Sequence, residues 1–276
     1  MKSNHALEVE RLSVALGGRT ILDHVEFSVA PGRFCGLIGA NGSGKTTLLR
    51  SILGLVRPSS GVISCAGAAP GRMIGYVPQK IQFDPFMPLR ARDVVALGVD
   101  GHRFGLPWPS AERRARVQAM LAAVDATAIA DQRVGDLSGG QQQRVMIAHA
   151  LVRSPKLLLL DEPLANLDLR AVADVVGLLH RLTVQQGITV LLSAHDMNPL
   201  LPVMDQIVYL AQGRAVSGSV AEVVRGSVLS QLYGYHIDVI RVHGRVLVVA
   251  AGGASGLDAA LDPALPCDPV HVAPIP

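Results

Sequence analysis

The sequence predicts an α/β fold on a mostly parallel sheet, and two stretches carry that prediction. Phe34 to Ile38 is an apolar run of strand length; Gly39-Ala40-Asn41-Gly42-Ser43-Gly44-Lys45-Thr46-Thr47 follows it, and Thr46 to Leu53 then reads as a helix. Leu157-Leu158-Leu159-Leu160 runs into Asp161-Glu162-Pro163 and is too apolar to be half exposed, which places it inside a parallel sheet. An antiparallel, β-rich start and a helical insertion between the two stretches complete the expected architecture.

The glycine-rich stretch is a phosphate cradle in the strand, loop and helix setting that a P-loop requires. Glycines at 39, 42 and 44 let the backbone come close to an anion and turn successive N–H groups and the helix N-terminus toward it. Lys45 is placed to reach terminal phosphates, and Thr46 to hold Mg²⁺. Lysine is scarce in this chain, four of the 25 Lys+Arg, so its use at 45 is informative. A compact ammonium fits between phosphate oxygens where a planar guanidinium would not.

In chain order, Leu7 and Val9 alternate with Glu8 and Glu10, and Val25, Phe27 and Val29 alternate with polar neighbours before the Pro31-Gly32 turn, so residues 6–38 read as short strands. Arg57 to Gly61 is a turn into a strand at Val62-Ile63, and Ile74 to Gln79 is a strand that ends at Pro78. Asp93 to Leu97 reads as a short helix. Ser110 caps a second helix, Ala111 to Val124, with Val117, Met120, Leu121 and Val124 on its apolar face and Arg113, Arg114 and Arg116 toward solvent. Gly101 to Pro109, with the single Trp108, has loop composition. Ala171 to Leu182 reads as a helix, Ile188 to Ser193 and Gln206 to Leu210 as buried strands, and Val220 to Val224 as a helix capped by Ser219. A helix near Val228 to Tyr233 and a hairpin, Val239 to Val242 against Val246 to Val249 around His243-Gly244, follow. The tail from Gly252 is rich in Ala, Gly and Pro and predicts no regular structure.

With 49% hydrophobic and 17% charged residues the chain is lean in charge, so some apolar surface is expected to be covered by a partner. The net charge of +3 comes with scattered arginines, and no nucleic-acid partner is expected. No apolar stretch approaches the ~20 residues of a membrane span, and Met1 to His5, followed by Glu8 and Glu10, lacks the apolar core of a signal peptide. The expectation is a chain that stays in the cytoplasm. Cys35, Cys65 and Cys267 are odd in number and form no CxxC, which fits reduced thiols, with Cys35 as a small buried hydrophobe.

A carboxylate at the end of a buried strand downstream of a P-loop is where a second magnesium ligand belongs, and Asp161 fills that place. Glu162 then points at the attacking water as general base. Leu137-Ser138-Gly139-Gly140-Gln141, a second anion cradle with Ser138 as cap and hydroxyl donor, resembles the signature motif of ATP-binding-cassette (ABC) ATPases. That resemblance implies a P-loop NTPase fold of ABC type and a cradle that grips the γ-phosphate of ATP bound to a second copy, in a head-to-tail dimer around two MgATP. It further implies that Gln79 is the Q-loop glutamine, reaching Mg²⁺ and water, that Asp168 is the D-loop aspartate, and that His195 is the switch histidine. Leu16 falls where the family usually stacks an aromatic residue on adenine, so weaker nucleotide affinity and poorer discrimination of ATP from GTP are expected.

The resemblance implies an ABC ATPase domain over 1–225, made of a β-rich start (6–38), a P-loop core (39–84), a helical subdomain with the signature motif (85–150) and the second half of the core (151–225). A small extension, 226–276, follows. Separate transmembrane permease subunits and, indirectly, a substrate-binding protein are the implied partners at the cytoplasmic face of the membrane. The segment between Lys45 and Ser138 is too short for the long coiled coils of DNA-repair members, and the chain has one cassette where translation members have two. Pro85 to Leu89 is apolar where family permeases dock a coupling helix; Phe83, Phe86 and Met87 packing beneath the helical insertion is the other reading. Ala194 to Leu201, Val228 to Gly234 and the closing hairpin are similar to ATPases of the zinc, manganese and iron importers, implying import of a divalent metal, zinc or manganese. An ATPase for an iron-chelate, vitamin or other small-solute transporter is the alternative. His236, His243 and His271 have the spacing of no ligand set and read as surface histidines.

Overall fold

In a computed structural model that describes residues 5–65, 74–79, 83–84, 86–100 and 110–250, the strands lie in three sheets. The expected loop with Trp108, the tail from Gly252, Pro85, Cys267 and His271 lie outside the described residues. β1 (Leu7–Leu16) and β2 (Arg19–Val29) pair antiparallel, and β4 (Ser60–Cys65) joins the other edge of β1. Between them the chain makes β3 (Phe34–Ile38) and α1 (Lys45–Ile52). The main sheet has the order β5-β6-β7-β3-β8-β9, with β5 (Ile74–Val77), β6 (Leu157–Asp161), β7 (Thr189–Ala194), β8 (Gln206–Ala211) and β9 (Arg214–Gly218). All its pairs are parallel except β8 with β9.

Two hydrophobic cores meet across this sheet, and strand alternation divides the side chains between them. Leu157 and Leu159 of β6 face one core together with Cys35, Leu37, Leu191, α1 and the β1-β2 ribbon. Leu158 and Leu160 face the other, with Phe34, Ile38 and the inserted helices. Four consecutive leucines are therefore not redundant. Full burial of each side chain contributes about 1.5–3 kcal/mol. Burial also pushes the Cys35 thiol up, which keeps it protonated and inert.

The insertion consists of α2 (Ala91–Asp100), α3 (Ala111–Ala123) and α4 (Gly139–Leu151). Ser110 caps α3, its hydroxyl accepting from the Arg113 N–H at 3.4 Å. Arg113 departs from expectation: it is half-buried, and its guanidinium donates to the Ala96 carbonyl of α2 at 3.4 Å. The first turn of α3 lies against α2, so only Arg114 and Arg116 are exposed. α5 (Leu169–Gln186) is longer than the pattern predicts and stops at Gly187, whose φ of +66° suits a glycine C-cap.

Beyond the main sheet, α6 (Val220–Val223) begins in a capping box of Ser219 and Glu222, and α7 (Gly226–Tyr233) leads to the hairpin of β10 (Ile237–Val242) and β11 (Arg245–Ala250). The edge strand β9 was not among the expected elements. Among the described residues no helix is long and apolar enough to cross a membrane.

Candidate nucleotide site

The four sequence-predicted elements of the site arrive at one edge of the sheet because β3, β5, β6 and β7 are parallel. Their C-terminal ends carry, in turn, the glycine-rich loop, Gln79, Asp161-Glu162 and His195. Open parallel sheets bind ligands in this crevice. The Gly39 N–H donates to the Ala194 carbonyl at 3.4 Å, tying the loop to the residue before His195.

The loop has the shape and the chemistry for phosphate. Gly39 has no room for a side chain, since a Cβ there would come within 2.6 Å of the Ser43 Oγ. Gly44 has φ of +109°, and a Cβ would meet Leu22 Cδ2 at 2.8 Å. The Ser43 Oγ is buried and has no hydrogen-bond partner among the described residues. The Lys45 side chain is 4% exposed, and its Nζ contacts three oxygens: Gly39 O at 2.8 Å, Ala40 O at 3.1 Å and Glu162 Oε1 at 3.2 Å. Phosphate oxygens would replace oxygen acceptors that the ammonium already has.

Glu162 is held from three sides. Lys45 reaches Oε1, the Gln79 amide donates to Oε2 at 2.8 Å, and the Glu162 N–H donates to the Ser193 Oγ at 2.9 Å. Its φ of +47° is left-handed, which for a non-glycine residue costs about 1–2 kcal/mol. That backbone turn follows directly on the last residue of β6. Asp161, 1% exposed, accepts from the Ser193 hydroxyl at 2.9 Å and from the Thr46 hydroxyl at 3.3 Å, both at Oδ1. Thr46 and Asp161 thus present two hard oxygen donors at one point, which fits the ligand chemistry of Mg²⁺. Burial raises the Tyr76 phenol, and the Asp161 carboxylate adds to the effect.

Ser193 is the residue that sequence reading missed. Its only signal is the parallel register that sets it beside Asp161.

The remaining predicted residues lie around this centre. His195 is exposed at the end of β7. Ser138 caps α4 in a reciprocal box, its N–H donating to Gln141 Oε1 at 2.9 Å and its hydroxyl accepting from Gln141 N at 3.4 Å. Asp168 caps α5, accepting from the Ala171 N–H at 2.8 Å. Gln79, Gly139 and Leu167 line a common groove, so the start of α4 sits between the Gln79 strand end and the turn before α5.

Leu16 ends β1 and is half exposed; Ile21 and Leu22 on the paired strand occupy the space that a side chain at Gly44 would need. A base stacked there would gain apolar contact without an aromatic face. Leu16→Tyr is expected to tighten ATP by about tenfold, within the range of a base–aromatic stack, and to favour ATP over GTP. Unchanged titrations of both nucleotides would remove Leu16 from the base-binding surface.

The family whose sequence profile is described as "ABC transporter" matches residues 22–165, more than half of the chain. This chain belongs to the ABC transporter ATPases. The zinc import ATP-binding protein ZnuC of Pseudomonas fluorescens (strain Pf-5) is 34% identical over 91% of this chain and 95% of its own length. Among solved structures, cbiO1 from Clostridium perfringens, part of the ABC transporter complex cbiONQ, is 30% identical, with a TM-score of 0.70 over 83% of this ABC ATPase and 94% of cbiO1. The ATP-binding cassette MJ0796, solved as a dimer bound to ADP and Pi, is 28% identical, with a TM-score of 0.64 over 78% and 98% of the two chains. The profile begins in β2 and ends just after Glu162, so it spans the glycine-rich loop, Gln79, the Ser138 cap and Asp161. Adenine nucleotide is the ligand of this ABC ATPase.

Proposed function

We propose that this ABC ATPase powers import of zinc through separate permease subunits, bound to them at the cytoplasmic face of the membrane and fed by a substrate-binding protein. The convergence of Lys45 and Gln79 on Glu162 at the strand ends carries the chemical half of the reading. The zinc import relative, similar over nine-tenths of the chain, supports the substrate. Residues 1–225 serve as the ATPase domain and 226–276 as its extension. In this reading the zinc path runs through the permease subunits.

In this mechanism the loop from Gly39 to Thr47 binds the triphosphate through its N–H groups, and Leu16 meets the base. Lys45 transfers from Gly39 O, Ala40 O and Glu162 to the terminal phosphates, because their charge outcompetes one carboxylate and two carbonyls. That exchange frees Glu162. Its carboxylate accepts the proton of a water aligned with the γ-phosphate, and His195 orients that water from the neighbouring strand end. Thr46, Asp161 and Gln79 would hold Mg²⁺, which when bound would supply positive charge to offset that of the phosphates. Leu137, Ser138, Gly139, Gly140 and Gln141 act on the nucleotide of a second copy, and the Asp168 turn links the two sites.

Two tests address the two halves. Elemental mass spectrometry of cells depleted of this chain, under metal limitation, is expected to show lowered zinc that the intact sequence restores and Lys45→Ala does not. Unchanged zinc with lowered manganese or iron would move the substrate, and no change in any metal would favour an organic solute. At the membrane face, Phe83 and Met87 pack partly against the core while Phe86 is 89% exposed. Phe86→Asp is therefore expected to break assembly with the permease and to leave nucleotide affinity unchanged. Loss of nucleotide binding would assign Phe86 to the fold instead.

A further inference from the structure

We propose that Ser193 is a positioning residue that sets both carboxylates of the site at once. The inference rests on the assignment of Asp161 and Glu162 above. Ser193 is fully buried, and its strand is paired on both sides, with Leu37 on one and Asp161 on the other. Alternation along β7 puts it on the face of Leu191, in the core that also contains Leu37 and Leu159. On such a face alanine or valine would pack without any polar group to satisfy, and a hydroxyl is unfavourable unless bonded.

The hydroxyl is bonded twice, and both partners belong to the catalytic pair. Its proton goes to Asp161 Oδ1 at 2.9 Å, and its oxygen accepts the Glu162 N–H at 2.9 Å. The first bond fixes the rotation of the Asp161 carboxylate and turns Oδ1 toward the Thr46 hydroxyl. The second holds the left-handed backbone of Glu162, which aims the carboxylate at Lys45 and Gln79. A hydroxyl can do both because it donates and accepts at one atom. Alanine removes both bonds at once, and threonine keeps the hydroxyl that makes them.

The test compares Ser193→Ala, Ser193→Thr and Glu162→Gln in the full chain, measuring turnover, the KM for ATP and the affinity of a fluorescent ATP analogue with Mg²⁺ and with EDTA. Ser193→Ala is expected to lose turnover by about 10- to 100-fold, the range for outer-shell partners of metal-binding groups, with KM little changed. Its preference for nucleotide with Mg²⁺ over EDTA is expected to shrink several-fold. Ser193→Thr restores both. Turnover within twofold of the unaltered chain, an unchanged Mg²⁺ preference, or no rescue by threonine would overturn the proposal. Should Glu162→Gln itself keep full turnover, the site assignment fails and this proposal with it; an inactive Glu162→Gln beside a normal Ser193→Ala defeats the Ser193 role alone.

Discussion

Glu162→Gln is expected to bind ATP at least as well as the unaltered chain, to hold two copies together, and to lose turnover by about 10²- to 10⁴-fold, the contribution of a positioned general base. The amide keeps the shape of the carboxylate and can still offer an oxygen to Lys45 or Gln79, so the folded site persists. What it removes is a negative charge 3.2 Å from the ammonium that must bind phosphate. Competition for Lys45 falls, and nucleotide binding is favoured. The carboxamide cannot accept the proton of the attacking water, so the γ-phosphate stays in place and so does any second copy bound across it. Phosphate release and light scattering with and without ATP measure the two effects separately. Hydrolysis at the normal rate would show that Glu162 is not the base. Lost turnover without association would leave the base in place and remove the dimer that the Ser138 cradle requires.

The parts of this site that the sequence reveals are those whose chemistry is local. The loop from Gly39 to Thr47 encodes its own turn and its own cation, and four leucines before Asp161 require a strand buried on both faces. Ser193 could not be found that way. It is a lone serine in an apolar strand, and its meaning lies in the register that brings Asp161 alongside across a helix and a connection. The positive φ of Glu162 is likewise a property of the assembled strand end.

The missed edge strand β9 has a different cause. Arg214–Gly218 is short and none of its residues is fully buried, so its alternation is weak. The signal that could have found it is the turn, since Gln212 and Gly213 both take positive φ, as do His243 and Gly244 in the hairpin that was expected. Gly after a polar residue marks both turns, but only the second lies between two clear β-branched runs.

Lys45→Ala is expected to act at the opposite step. The same ammonium that would bind phosphate bonds the carbonyls of Gly39 and Ala40, so it shapes the loop before it meets a ligand. Alanine removes the charge on the terminal phosphates and leaves both carbonyls and the Glu162 carboxylate without their cation. A charge-stabilising donor in a water-excluded site is worth about 2.7–4 kcal/mol, so turnover should fall by about 10²- to 10³-fold, with ATP affinity weakened alongside it. The double variant Lys45→Ala, Glu162→Gln decides the order of events. If Lys45 carries nucleotide binding and Glu162 only the chemistry, the double variant loses the ATP-dependent association that Glu162→Gln alone displays. If association persists, Lys45 serves the transition state more than the ground state, and the N–H groups of the loop with Ser43 are sufficient to hold the triphosphate.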